Sequence, residues 1–151
     1  MTKLAILTKA TLFLAAGSCA VGQAVAENTH EGPSISVPAS DIRFVQTGVK
    51  NKGLELLAGA AYGNMATGKH GSFVKMPSGY GSVPHIHSDD YYAVVVKGVM
   101  TNHAPETKDV ALPVGSYWFQ KAGENHVTKC VSKEECLFFI VQPGHFDFVA
   151  K

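Results

Sequence analysis

From Asp41 onward, apolar and polar residues fall into short alternating runs broken by glycine-bearing turns. Ile42-Arg-Phe-Val45, Leu54-Glu-Leu-Leu57 and Ser72-Phe-Val-Lys-Met76 come first, followed by Tyr92 to Met100, rich in valine and closed by Gly98. Ser116-Tyr-Trp-Phe-Gln120, His126-Val-Thr-Lys-Cys-Val131 and Cys136-Leu-Phe-Phe-Ile-Val141 complete the series. Runs of this length, rich in β-branched and aromatic residues between turn residues, read as strands. No window keeps a 3.6-residue apolar period with caps, and no segment repeats. Many short strands spaced by turns predict a sandwich or barrel. An all-β single domain is expected over residues 41–151.

The chain ahead of that pattern differs. Lys3 and Lys9 lead into the apolar stretch Ala10 to Val21, and Ala24-Val25-Ala26 has the small-x-small form of a cleavage site. Residues 1–26 are therefore expected to be a Sec signal peptide, cleaved before Glu27, for a periplasmic or secreted protein. The stretch is too short to span a bilayer. A lipid anchor would use Cys19, but Ala16-Gly17-Ser18 lacks the large aliphatic residue usual three positions before such a cysteine. Residues 27–40, rich in Ser, Pro, Gly and Thr without a period, predict a flexible N-terminal arm.

Charge narrows the partners. The 151-residue chain carries a formal net charge of +1; losing Lys3 and Lys9 leaves 11 basic against 12 acidic side chains. With no basic patch, neither nucleic acid nor an anionic membrane surface is an expected partner. Export also bears on Cys130 and Cys136, which flank the polar turn Val131-Ser-Lys-Glu-Glu135. In an oxidising compartment they can face each other across a hairpin and form a disulfide. The alternative is two small buried thiols.

Candidate chemistry concentrates in Pro84-His85-Ile86-His87-Ser88-Asp89-Asp90-Tyr91. Two histidines two apart on an extended segment point to one face, about 6.6 Å apart along the chain. Imidazole is a ligand for Zn, Fe, Ni and Cu, and such sites need three or four protein groups. His126, which opens a strand after the Lys121-Ala-Gly-Glu turn, is the best third candidate. Asp89 shares strand parity with the histidines if no bulge intervenes, whereas Asp90 would point away. His30, His103 and His145 fall in the arm, a polar loop and the tail, and read as solvated. Tyr117, Trp118 and Phe119 read as barrel core.

These residues sit in two gapped motifs that resemble those of the cupins. The first runs Gly79, five residues, His85-Ile86-His87, Ser88-Asp89-Asp90, Tyr91, six residues, Gly98. The second runs Gly115, five residues, Lys121-Ala122-Gly123, Glu124-Asn125, His126, three residues, Cys130. The wording of both resembles a group of uncharacterised single-domain ChrR-like cupins, a group that is itself similar to small metal dioxygenases. The resemblance implies a double-stranded β-helix, or jelly-roll barrel, with a divalent transition metal, Fe or Zn, on His85, His87 and His126. The family's glutamate is replaced by Tyr91, so the usual fourth ligand is absent. Tyr91 or Asp89 is the candidate fourth ligand or proton relay. A tyrosinate must lose a proton with a pKa near 10, so Tyr91 fits better as a hydrogen-bond donor. Lys121 and Cys130 stand where the family has proline and asparagine, which alters a turn and a fold position.

The implied function is an exported metal-dependent enzyme, dioxygenase-like, acting on a small organic molecule; no catalytic residue is assigned. The alternatives are a non-catalytic metal- or ligand-binding or sensing module, and a storage or interaction cupin with a vestigial site. Cupins of this kind commonly pair, so a homodimer using edge strands and the arm is expected.

Overall fold

Side chains alternate across a pleated strand, and this alternation sorts the sequence into an inner and an outer face. β5 (Tyr91–Lys97) buries Tyr91, Ala93 and Val95 and turns Tyr92, Val94 and Val96 outward. β9 (Cys136–Gln142) buries Cys136, Phe138, Ile140 and Gln142, and β3 (His70–Met76) buries Val74 and Met76 with His70 and Ser72. Together with β1 (Val45–Asn51), β2 (Leu54–Gly63) and β7 (Tyr117–Gln120) they form a six-stranded sheet, ordered β1-β2-β3-β9-β5-β7. Its neighbours are all antiparallel. The structure is a computed structural model that describes residues 33–151.

Opposite this sheet lie two short ladders. β4 (His85–Ile86) pairs with β10 (Val149–Ala150), and β6 (Met100–His103) pairs with β8 (Val127–Cys130). A bridge between His85 and His126 joins the ladders into one face. The result is the jelly-roll barrel expected from the motifs. The core fills the space between the faces with Leu56, Ala58, Val74, Met76, Phe138 and Ile140 among others.

Two glycines are fixed by geometry. Gly98 turns β5 into β6 with φ +81°, and a Cβ there would lie 2.7 Å from Ser132 Oγ and 2.8 Å from Cys136 Sγ. A side chain has neither the left-handed backbone nor the space it needs. Gly123, with φ +71°, donates its N–H to the His87 carbonyl at 2.9 Å. That bond ties the loop leading to His126 onto the strand end carrying His87. The sulfurs of Cys130 and Cys136 lie 2.06 Å apart, a bonded pair joining the end of β8 to the start of β9.

Three details differ from the sequence expectation. Of Tyr117, Trp118 and Phe119 only Trp118 enters the core; alternation along β7 turns Tyr117 and Phe119 outward, where they are exposed. Ile42-Arg-Phe-Val45 is not a strand, since pairing begins only at Val45. Gly59 leaves room for this segment to pack flat: a Cβ there would meet Ile42 Cγ2 and the Arg43 carbonyl within 2.8 Å. His103 is not solvated; it ends β6 with Nε2 2.6 Å from Asp109 Oδ1 and a side chain only 8% exposed. His145 is exposed. The expected signal segment 1–26, Cys19 and His30 lie outside the described residues. Residues 33–40 of the arm are exposed throughout and end in a short 3-10 turn over Ala39–Asp41. Among the described residues no helix is long and apolar enough to cross a membrane.

Candidate metal centre

His85 and His126 are brought together by the backbone. His85 N–H donates to the His126 carbonyl and His126 N–H to the His85 carbonyl, each at 3.0 Å. Directly opposed residues of an antiparallel pair share a face. Their rings accordingly lie 4.1 Å apart, centroid to centroid. His87, two residues on, puts its ring 4.9 Å from His85 and 5.1 Å from His126. One nitrogen from each of the three rings falls within 4.8 Å of the others. Neighbouring nitrogens around a tetrahedral ion with metal–nitrogen bonds of about 2.1 Å stand about 3.4 Å apart, so the three rings would have to draw together to share one ion.

Hydrogen bonds select which nitrogen is free. Nδ1 of His85 donates to the Val83 carbonyl at 3.0 Å, that of His87 to the Asp147 carbonyl at 2.7 Å, and that of His126 to the Glu124 carbonyl at 3.1 Å. A carbonyl can only accept, so each ring carries its proton on Nδ1 and keeps its Nε2 lone pair. Second-sphere carbonyls orient metal-binding histidines in this way.

Electrostatics keeps the rings neutral. Burial, with the neighbouring His126 and His87 rings, pushes His85 down to about 3. Burial and the His87 ring push His126 down to about 4. His87 is also lowered by burial, which outweighs the Asp147 carboxylate 3.5 Å from its Nδ1. Metal binding needs deprotonated imidazoles, so three rings held neutral are a suitable donor set. The three histidines are positioned to bind a metal ion, and imidazole donors suit zinc and iron alike.

Tyr91 reaches the same place. Its hydroxyl is 3.4 Å from His126 Nε2 and accepts the Trp118 indole N–H at 3.3 Å. Because the indole only donates, the phenol proton is left to point toward His126 or the Thr128 hydroxyl, which also hydrogen-bonds Tyr91. Burial pushes the phenol up to about 12, so it stays protonated. With no ion beside it, Tyr91 stands as a hydrogen-bond donor.

Asp89 does not join them. β4 ends at Ile86 and the chain bends through Ser88 and Asp89, so strand parity no longer applies. The Asp89 carboxylate packs on Gly144, too close for any side chain there. Asp90 points away from the site, as expected, and accepts the Ala122 N–H at 2.7 Å, a second tie on the loop before His126.

Two further residues at the site are missing from the motifs. The Asp147 carboxylate accepts Ser88 N–H at 3.0 Å and Ser88 Oγ–H at 2.6 Å. Phe148 stacks on His85, with centroids 4.1 Å apart and planes 19° apart. Both come from the segment between β9 and β10. The alternation Phe146-Asp147-Phe148-Val149 is their only sequence signal. The cavity beside the histidines has a volume of about 40 Å³, where a single water needs about 10–15 Å³. Its wall is almost wholly apolar, with Phe146 and Phe148 on the tail side.

Residues 49–150 match a family described as a domain of unknown function, DUF4437. Among solved structures, the chain resembles the polyketide cyclase RemF from Streptomyces resistomycificus, with TM-score 0.62 and 18% identity over 78% of this chain and 85% of that one. It also resembles a predicted oxalate decarboxylase from Thermotoga maritima, with TM-score 0.59 and 20% identity over 73% of this chain and 99% of that one. A third likeness is KdgF from Halomonas sp., with TM-score 0.54 and 15% identity over 70% and 92% of the two chains. At these identities the likeness is one of fold. No curated protein sequence matches the chain.

Proposed function

The chain belongs to the DUF4437 family and has the cupin fold, and from that premise we propose that it is an exported metal-dependent enzyme, dioxygenase-like, acting on a small organic molecule at His85, His87 and His126. The observation that carries this is the hydrogen bonding of the three rings. Each Nδ1 is committed to a backbone carbonyl, so each ring turns its Nε2 to the shared site; that of His126 is met by the Tyr91 hydroxyl, which an ion would displace. Structural zinc sites are closed by four protein ligands, whereas catalytic sites keep a position open. Three nitrogens beside a phenol that stays protonated leave such a position.

Bound there, iron or zinc would supply Lewis acidity, and iron oxygen activation as well. The protein's own part is orientation and proton control. Val83, Glu124 and Asp147 fix the rings, and Phe148 covers His85 from solvent. Tyr91, with its oxygen tied to Trp118, aims its proton at whatever binds beside His126. A small organic substrate fits the limited cavity and accords with neighbours of the same fold named as a polyketide cyclase and a predicted oxalate decarboxylase.

Export is supported by the leader pattern of residues 1–26 and by the bonded Cys130–Cys136 pair, which suits an oxidising compartment. A homodimer is supported by the outward face of β5 and β7, where Tyr92, Val94, Tyr117 and Phe119 are exposed. A monomeric mass at micromolar concentration would contradict it. A non-catalytic binding module is the second reading, favoured by the loss of the family's glutamate at Tyr91.

The test is substrate depletion, followed by NMR in air, for neutral carbonyl compounds, thiols and phenolics. The mature chain is loaded with iron(II) or zinc(II). Metal-dependent turnover that is lost in His126→Ala and slowed at least tenfold in Tyr91→Phe is expected. Full metal occupancy with no turnover of any compound would favour the binding module.

A further inference from the structure

Four polar side chains form a row across the inner face of the large sheet, one from each of β3, β9, β5 and β7. Tyr91 is paired with Gln120. On its other side Gln142 lies one residue beyond the Val141–Tyr92 pair, and Gln142 is paired with His70. All four are at most 5% exposed. Directly opposed side chains have Cβ atoms about 5 Å apart, so Gln142 stands next to Tyr91.

The two glutamines differ. Gln120 accepts from Asn102 Nδ2 at 3.0 Å and donates to the Glu124 carbonyl at 3.2 Å, holding the loop that carries His126. Gln142 turns its oxygen to the His70 ring, a contact that favours the protonated imidazole, and its amide nitrogen has no partner among the described residues, although the side chain is 1% exposed. Gln142 lines the cavity that also contains His85, His87 and Tyr91. A buried donor without a partner is destabilising, and such a group persists where a ligand supplies the acceptor.

The other lining groups set the kind of acceptor. Among the described residues no Lys, Arg, Asp or Glu faces this cavity. Ser82 Oγ accepts the Thr128 N–H and Thr128 Oγ1 donates to Asn102, so both are already engaged. The remaining wall is aliphatic and aromatic. His70, behind Gln142, is pushed by burial toward its neutral form. Apart from a metal ion, nothing here compensates a substrate charge.

We propose that Gln142 binds the substrate, its amide N–H donating to a neutral carbonyl, amide or hydroxyl oxygen of a small, largely apolar and uncharged molecule in the cavity beside the three histidines. The assignment of that molecule as a substrate rests on the metal-enzyme reading; the binding contact does not. The cavity selects against dianions such as dicarboxylates because, among the described residues, no cationic side chain lines it.

Acetamide and acetate, matched in size, are the probes. They are titrated into the mature chain, zinc-loaded and after chelation, while the Gln142 side-chain amide signals are followed by ¹⁵N NMR and assigned by their loss in Gln142→Met. Acetamide is expected to shift those signals saturably in both forms. In the chelated protein it should bind at least tenfold more tightly than acetate, and Gln142→Met should weaken it roughly tenfold with zinc content unchanged. Removing an unpartnered donor should also leave the melting temperature of Gln142→Met equal or higher. Signals unmoved by acetamide, or acetate bound as tightly after chelation, would overturn the proposal. So would a melting point lowered by more than about 5 °C, roughly 1 kcal/mol in a domain of this size, because the amide would then be bonded within the barrel. If zinc fails to bind while acetamide still shifts Gln142, the metal-enzyme reading falls and the binding contact stands.

Discussion

Asp147→Ala tests whether the tail segment holds the metal centre together. The wild-type carboxylate accepts two hydrogen bonds from Ser88 and lies 3.5 Å from Nδ1 of His87, while the Asp147 backbone carbonyl takes the His87 proton at 2.7 Å. Truncation leaves that carbonyl in the chain but frees the segment that aims it. Hydrogen bonds to a charged group contribute about 1.5–3 kcal/mol each when well sheltered. This carboxylate is partly open to solvent, its side chain 14% exposed, so the lower end applies. Loss of an outer contact to a metal-binding histidine typically weakens metal affinity by about 10–100-fold, or about 1.4–2.7 kcal/mol. Competition between the protein and a fluorescent zinc chelator at pH 7.5 reads this directly. Asp147→Asn keeps one oxygen to accept from Ser88 and should fall between wild type and alanine. Affinity within twofold of wild type in Asp147→Ala, with the fold intact by circular dichroism, would refute the positioning role.

Acid should weaken the metal-free chain. His85 at about 3 and His126 at about 4 lie below the unfolded value, so the unfolded state binds more protons in the interval, and stability is complete above about pH 6.5 and falls below it. Each ring costs up to about 1.4 kcal/mol per pH unit; because the two repel each other, the pair should cost about 2–4 kcal/mol at pH 5. Of the neighbouring groups, His87 is lowered and adds the same sign, Tyr91 stays neutral, and the lowered Asp147 acts only at more acidic pH. Urea titrations at pH 7.5 and 5 in the presence of a chelator check this, and a stability that is flat or rises toward pH 5 would count against it. Gly98→Ala combines a left-handed backbone with contacts of 2.7 and 2.8 Å to Ser132 and Cys136. It should lose at least about 2 kcal/mol, seen as a lower urea midpoint; an unchanged midpoint would show that the turn relaxes freely.

How much was legible in the sequence varied with the distance over which each feature is determined. The strands showed through because one inner face imposes a period of two, as in Tyr91, Ala93 and Val95. The histidine triad showed through because His85-x-His87 and the Gly123 turn before His126 are local spacings that survive folding. Asp89 was misplaced because the parity argument needs a continuous strand and β4 has only two residues. Asp147 and Phe148 were missed because they arrive through pairing of β10 with β4, which no local pattern announces. Gln142 was hidden for a similar reason: at the end of the apolar run Cys136–Val141 it looks like the first residue outside the core, and only the β3–β9–β5 register buries it. His103 looked solvated because its partner, Asp109, lies across a loop.

The central claim, that His85, His87 and His126 hold one metal ion, is tested most directly by elemental analysis of the mature protein recovered from its export compartment, beside His126→Ala prepared in the same way. The structure predicts close to one equivalent of iron or zinc per chain in the wild type and a loss of most of it in the variant. Less than about a tenth of an equivalent of any transition metal in the wild type, after supplementation of the growth medium, would contradict it, because three neutral imidazoles bind an available transition ion readily.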